Sequence, residues 1–160
     1  MHIPPGGDRP GIVDDPADGC MTRPLSRQTG ALPPAANAAE CANLTLLFNA
    51  LRAALSDAVS RTGGRALASE FDQRVETYAG EHAWHALTGL PNLDALQVRV
   101  PDIDSRMLLS VYQDYSTFAR QVAGRLLGDQ LLRSAVRSTC LQLSPSLAEL
   151  NTRCQLIPYM

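Results

Sequence analysis

Apolar side chains recur at helical intervals in two stretches of this chain, 44 to 73 and 108 to 137, and the stretches superpose at an offset of 64. Each reads as an apolar-striped helix, a glycine break and a second striped helix, which is the plan of a helical bundle. The superposition pairs Leu44 with Leu108, Arg61 with Arg125, Gly64 with Gly128 and Leu67 with Leu131, while Leu47/Val111, Phe48/Tyr112 and Asn49/Gln113 match in kind. A duplicated hairpin would leave such a residue of identities, and two hairpins of similar patterning would also reach it independently, so both origins stay open. Amphipathic hairpins bring no chemistry of their own. The pattern predicts a protein that works by packing against something.

In detail, Asn43 is placed to cap a helix whose buried face carries Leu44, Leu47, Phe48, Leu51, Leu55, Ala58 and Val59. Its other face, with Asn49, Arg52, Ser56, Asp57 and Ser60, is solvated, and Asp57 can pair with Arg61 one turn on. Gly63-Gly64 stops this helix, and a second follows from Arg65 with Leu67, Phe71, Val75 and Tyr78 in line. Residues 81 to 103 lose the rhythm: a helical turn or two to Leu87, a turn at Gly89-Leu-Pro-Asn92, then alternation over 96 to 100 that is either an extended surface loop or a strand pairing with its copy in a dimer. Asp104 or Ser105 is expected to cap a third helix striped by Leu108, Val111, Tyr112, Tyr115, Phe118, Ala119, Val122 and Leu126. Gly128 breaks the chain again, and Asp129 is expected to cap a fourth helix with Leu131, Leu132, Ala135, Val136 and Cys140. Ser144-Pro145 then opens a short terminal helix limited by Pro158.

The first forty residues hold seven of the eleven prolines and little apolar periodicity, which predicts a disordered tail over 1 to 41 ahead of a helical domain over 42 to 160. Met21 is an alternative start. All basic residues are arginine, which fits a GC-rich bacterial coding bias. The net charge of −2 and the scattered arginines lack the one-sided basic face of a nucleic-acid binder. Charged residues make up 19% of the chain, somewhat below the usual share, and this favours self-association. Cys20, Cys41, Cys140 and Cys154 form no Cys-x-x-Cys pair, so neither a zinc ribbon nor a redox motif is indicated. The N-terminus lacks a basic start followed by an apolar run, and no segment reaches membrane-spanning length, so a cytoplasmic protein without membrane contact is expected.

Leu87-Thr-Gly-Leu-Pro-Asn92 resembles the entry signature of GGDEF domains, the diguanylate cyclases. Asp102-Ile-Asp104 is similar to that family's metal-binding Asp-x-Asp, and Gly124-Arg-Leu-Leu-Gly128-Asp129-Gln-Leu-Leu132 to its Gly-His-x-x-Gly-Asp-x-Leu-Leu stretch, with Arg125 at the histidine. The resemblance implies a mixed sheet-and-helix fold and cyclic-di-GMP synthesis. The chain departs from it in two ways. Only nine residues separate Asn92 from Asp102, and the Gly-Gly-Asp/Glu-Glu-Phe turn that holds guanine and the second metal is absent, which leaves at most a degenerate nucleotide-binding module.

His82 and His85 flank Trp84 and could ligate a metal or haem only with a third ligand that the sequence does not identify; a dipole-complementing pair at a helix end is the structural alternative. The chain also contains no nucleophile elbow, Walker loop or dinucleotide fingerprint. The expectation is therefore an all-α four-helix bundle of two hairpins with a short C-terminal helix and a disordered N-terminal tail. It would serve as a non-enzymatic bacterial signalling or regulatory interaction domain without a cofactor, either homodimeric through helix 105 to 126 or bound to a protein partner. Trp84, Leu87, Leu90, Tyr112, Tyr115 and Phe118 are the candidate interaction residues. A haem or small-ligand sensor and a host-directed effector with a disordered leader are the other readings.

Overall fold

A computed structural model of the chain describes residues 34–89 and 103–158. The described residues are all-α, with no strand among them and five helices: α1 (Pro34–Glu81), α2 (His85–Thr88), α3 (Ser105–Leu127), α4 (Asp129–Gln142) and α5 (Pro145–Cys154). The alternating segment 96–100 and the turn residues after Gly89 lie outside the described residues, as do Leu90 and residues 1–33. No described helix is long and apolar enough to cross a membrane.

Helix α1 starts at Pro34, well before the Asn43 expected to cap it, and Asn43 sits exposed within its run. The prolines before it made this stretch read as tail, but Pro34 occupies the first helical position, where its missing N–H costs nothing, and the alanines that follow have the highest helix propensity. The extension has a structural task. Asn37 donates from Nδ2 to the Ile103 carbonyl at 2.9 Å and accepts the Ser105 N–H on Oδ1 at 2.8 Å, while Ser105 Oγ donates to Glu40 at 3.1 Å. A first-turn N–H of α3 is thus satisfied from a neighbouring helix. Asp104 occupies the cap position without a side-chain cap bond, and neither Asp104 nor Ser105 caps α3 as expected. Asp129 likewise is the first residue of α4 rather than its cap, a position held by Gly128.

The predicted stop at Gly63-Gly64 takes the form of a sharp break. Gly64 adopts φ 69°, ψ −165°, and divides α1 into a first limb, 34–63, and a second, 65–81. Arg52 on the first limb reaches Glu76 on the second at 3.2 Å and donates to the Thr88 carbonyl at 2.6 Å, which ties both limbs to α2. Gly128, the partner of Gly64 in the 64-residue superposition, shows nearly the same backbone, φ 82°, ψ 158°. That combination of positive φ with extended ψ is open essentially to glycine alone.

The first limb and α3 run parallel through the core. Asn37 meets Ser105, Thr45 Oγ1 lies 3.1 Å from the Tyr112 hydroxyl, and Phe48 packs on both Tyr112 and Tyr115. Phe48 and Tyr112 are themselves partners in the superposition, and their rings stack at 4.1 Å and 5°. The faces that meet, Leu44 to Leu55 and Leu108 to Ala119, are themselves matched by the superposition, the arrangement that a local two-fold relation between the two halves gives. Around the stack Leu44, Leu47, Leu51, Leu55 and Val59 face Leu108, Val111, Ala119 and Ala123, all buried.

Helix α4 returns along α3, because α5, which follows it, ends with the Cys154 carbonyl held by Gln113 near the start of α3 at 2.8 Å. The chain then closes with a clamp the sequence did not suggest. Asn151, fully buried, donates to the Ile157 carbonyl and accepts the Ile157 N–H, both at 2.8 Å, seating Leu156 and Ile157 in the core.

Candidate interaction groove

The aromatic residues expected to form a binding seam are divided by the fold. Tyr112 and Tyr115 lie in the core against Phe48, so the stripe of α3 is an internal seam between the halves rather than an interaction surface. The Tyr112 hydroxyl donates to the Leu87 carbonyl at 3.2 Å and shares a hydrogen bond with Thr45; burial pushes its pKa up to about 12 against that hydrogen bond, which acts to lower it. Leu87, on α2, is buried. Trp84 and Phe118 are half-buried, and Leu90 lies outside the described residues.

Trp84 joins a chain of rings instead. Phe118 stacks on Tyr78 at 4.0 Å and 7°, Tyr78 meets Trp84 edge-on at 5.8 Å, and His82 lies against both at 4.3 and 4.6 Å. His82 Nδ1 contacts the Tyr78 carbonyl at 2.8 Å, where a helix end leaves carbonyls to be satisfied. His85 turns toward Gly80, so the two imidazoles point to different neighbours. Among the described residues no three His, Cys, Asp or Glu side chains converge for a metal. The carboxylates singled out by the GGDEF resemblance are also dispersed. Asp104 and Asp129 flank opposite ends of α3, about 35 Å of helix apart, and Asp102 lies outside the described residues.

The two-fold relation creates two equivalent clefts between the halves, and their contents differ. In the cleft between the second limb and α3, Tyr78 and Phe118 fill the space as a stacked pair, beside buried Phe71 and Val75. In the cleft between the first limb and α4, the positions equivalent to Phe118, Tyr78 and Phe71 are Ala54, Gln142 and Ala135. Rings are replaced by methyl groups and an amide. What results is an open groove of about 490 Å³ walled by Ala50, Ala53, Ala54 and Ala58 on one side and Ala135, Ser138, Thr139, Gln142 and Leu143 on the other.

Three polar side chains of this groove are occupied. Thr139 Oγ1 donates to its own helix at Ala135 O, 2.9 Å, and Asp57 pairs with Arg61 at the rim. Two exposed leucines continue its walls: Leu46, one turn before Ala50, is 54% exposed, and Leu131, one turn before Ala135, is 47% exposed. Because α4 runs opposite to the first limb, these leucines stand at opposite ends and on opposite walls. No sequence motif announced the groove. Its signal, readable once the halves are superposed, is the loss of bulk at 54, 135 and 142 relative to 118, 71 and 78.

Two further surface grooves lie on the described residues. One, between the limbs of α1, is lined by Asn49, Arg52, Ala53, Ser56, Ser69, Asp72, Gln73 and Glu76; the other, between α3 and α4, by Thr117, Arg120, Gln121, Gly124, Arg125, Asp129 and Leu132. The thiols of Cys41, Cys140 and Cys154 are held protonated by burial, which raises the pKa of each, and a protonated thiol is a poor nucleophile. Compared with known protein families, curated proteins and solved structures, the chain gives no match in any of the three.

Proposed function

We propose that this chain is a non-enzymatic, regulatory interaction module, a helical bundle that docks protein through the groove between the first limb of α1 and α4. One observation carries the reading: of two equivalent clefts, one is filled by the chain's own aromatic rings and the other is left open, walled by alanines on the α1 side, with Leu46 and Leu131 exposed one turn beyond it. A recess with alanines on one wall and Ala135, Ser138, Thr139, Gln142 and Leu143 on the other offers both apolar burial and polar contact to an incoming side chain. A signalling role follows from the mode of action, since a docking surface without reactive groups conveys information through what it binds.

Site-specific photo-crosslinking tests it. A photoreactive aromatic side chain at Ala50, on the groove wall, should give an adduct with one identifiable protein, either another copy or a different chain. The same side chain at Met107, 60% exposed on α3, should not. Ala54→Phe in the same chain should abolish the adduct by filling the groove from within. Equal labelling from both positions, or an adduct indifferent to Ala54→Phe, defeats the reading.

A further inference from the structure

We infer that the groove between α3 and α4 is a binding site for an acidic peptide segment, held by Arg120, Arg125, Arg133 and Arg137. The inference stands apart from the docking reading above, because it concerns a different groove and a contact of charge rather than of apolar burial.

The 64-residue superposition relates this groove to the one between the limbs of α1, and the two differ in charge. Ala53 and Ser56 of the limb groove correspond to Thr117 and Arg120, which line the groove between α3 and α4. Ser69 and Gln73, also on the limb groove, correspond to Arg133 and Arg137. These two arginines are exposed and follow Asp129 at intervals of four, so they carry its groove wall onward along α4. The carboxylates of the limb groove are lost in the exchange. Asp72 and Glu76 give way to Val136 and Cys140, and Arg52, which Glu76 neutralises at 3.2 Å, gives way to Ser116. Whole helices show the same contrast: α1 carries four arginines against six carboxylates, and α3 with α4 carries five against two.

The groove arginines are left without counter-ions. The pairs Arg52–Glu76, Arg61–Asp57 and Arg74–Glu70 all lie on α1, while Arg120, Arg125, Arg133 and Arg137 have no carboxylate partner among the described residues. Arg120 is half-buried, and its guanidinium donates to the Ser116 carbonyl at 3.2 Å and to Thr117 Oγ1 at 3.3 Å, both on its own helix. Burial draws its pKa down, with no neighbouring charge to offset the lost water. A guanidinium anchored in this way holds its remaining N–H donors ready for a carboxylate. The rest of the lining selects the source of that carboxylate. Asp129 and Gln121 share the groove, so a fitting ligand brings hydrogen-bond donors as well as negative charge. A peptide supplies both, through its backbone N–H groups and its Asp or Glu side chains, whereas a polyphosphate supplies acceptors only. Among the described residues no aromatic side chain lines the groove, so bases would find nothing to stack on.

Fluorescence anisotropy of a labelled peptide of about eight residues, alternating Glu and Gly, titrated with the full chain at about 50 mM salt, reads the contact. The expected affinity is a Kd of about 0.1–1 mM, at least about tenfold tighter than for the matching Gln-Gly peptide. A single-stranded oligothymidylate of the same charge should bind more weakly than the acidic peptide. Arg120→Gln alone, and Arg133→Gln combined with Arg137→Gln, should each weaken peptide binding at least about fivefold with helical circular dichroism retained. Cys140→Glu, which supplies the carboxylate that the limb groove has at Glu76, should weaken it in the same way. Arg65→Gln, which removes an exposed charge from α1, should leave it unchanged. Equal affinity for the acidic and neutral peptides overturns the inference, as does a loss no larger for the groove arginines than for Arg65→Gln. An oligothymidylate bound more tightly than the peptide sinks the peptide assignment.

Discussion

The two halves of this chain share a plan and spend it differently. Limb one with limb two, and α3 with α4, each bend at a glycine with the same positive-φ, extended-ψ backbone, and their first helices lie side by side with equivalent rings in contact. Yet one inter-half cleft is closed by Tyr78 and Phe118, and the other is open at Ala54 and Gln142. The difference teaches that the core and the surface of a two-fold arrangement answer to separate constraints. Around the axis every position must be filled, because a void there forfeits packing contacts on both sides. In the outer clefts a side chain can be shortened without exposing the core, and bulk removed from one cleft leaves a groove.

Substitutions can break or sharpen this comparison. The largest effect is expected on the axis: Phe48→Ala, which empties the stack between the halves, should cost about 3–5 kcal/mol in chemical denaturation, and Phe118→Ala in the filled cleft should cost less, because Phe118 is only half-buried. Equal costs would mean that axis and cleft are not distinct in kind.

Next is alkaline pH. Tyr112 keeps its proton in the folded state up to about 12, against 10 when unfolded. The folded chain therefore binds more protons between those values. The contribution is complete below pH 10 and lost as pH rises toward 12, about 2–3 kcal/mol in all. Tyr112→Phe should flatten that part of the stability profile, measured by urea midpoints across the range. Its partner Phe48, having no hydroxyl, contributes nothing there.

The paired glycines give a direct test of equivalence. Gly64→Ala and Gly128→Ala should each destabilise by about 1–3 kcal/mol through backbone strain alone, since an added Cβ meets no atom within 4 Å at either site. Thermal melts that separate the two variants widely would show that the shared conformation carries different loads. Asn37→Ala should cost about 1–2 kcal/mol by uncapping α3, while Asn43→Ala, at the cap position expected from the sequence, should change stability by only tenths. The smallest effect is a gain. Ala83 sits at φ 58° between α1 and α2, so Ala83→Gly should stabilise by about 0.5–1 kcal/mol in the same assay.

Helical periodicity was legible residue by residue. The buried faces at Leu44 to Val59 and Leu108 to Val122, the breaks at both glycines and the Ser144-Pro145 start of the last helix all read directly from the chain, because side-chain spacing and backbone freedom are local properties. Helix starts were less so. Asn43, Ser105 and Asp129 are cap-type residues in plausible places, but Asn37 caps α3 from sixty-eight residues away, a partnership that no local rule contains. Two of the candidate interaction residues, Tyr112 and Tyr115, lie in the core for a related reason. An aromatic stripe signals burial without saying against what, and for Tyr112 and Tyr115 the answer was Phe48 of the same chain.

The chain's linear pattern thus determined that it would be helical, where it would bend, and which faces would leave water, since each of these depends on neighbours three or four residues away. Only the tertiary arrangement decided which stripes meet, that equivalent rings stack across an axis, and that one of two matching clefts is left unfilled. A cleft is a difference between what two distant segments bring to one place, and a difference of that kind has no address in either segment alone.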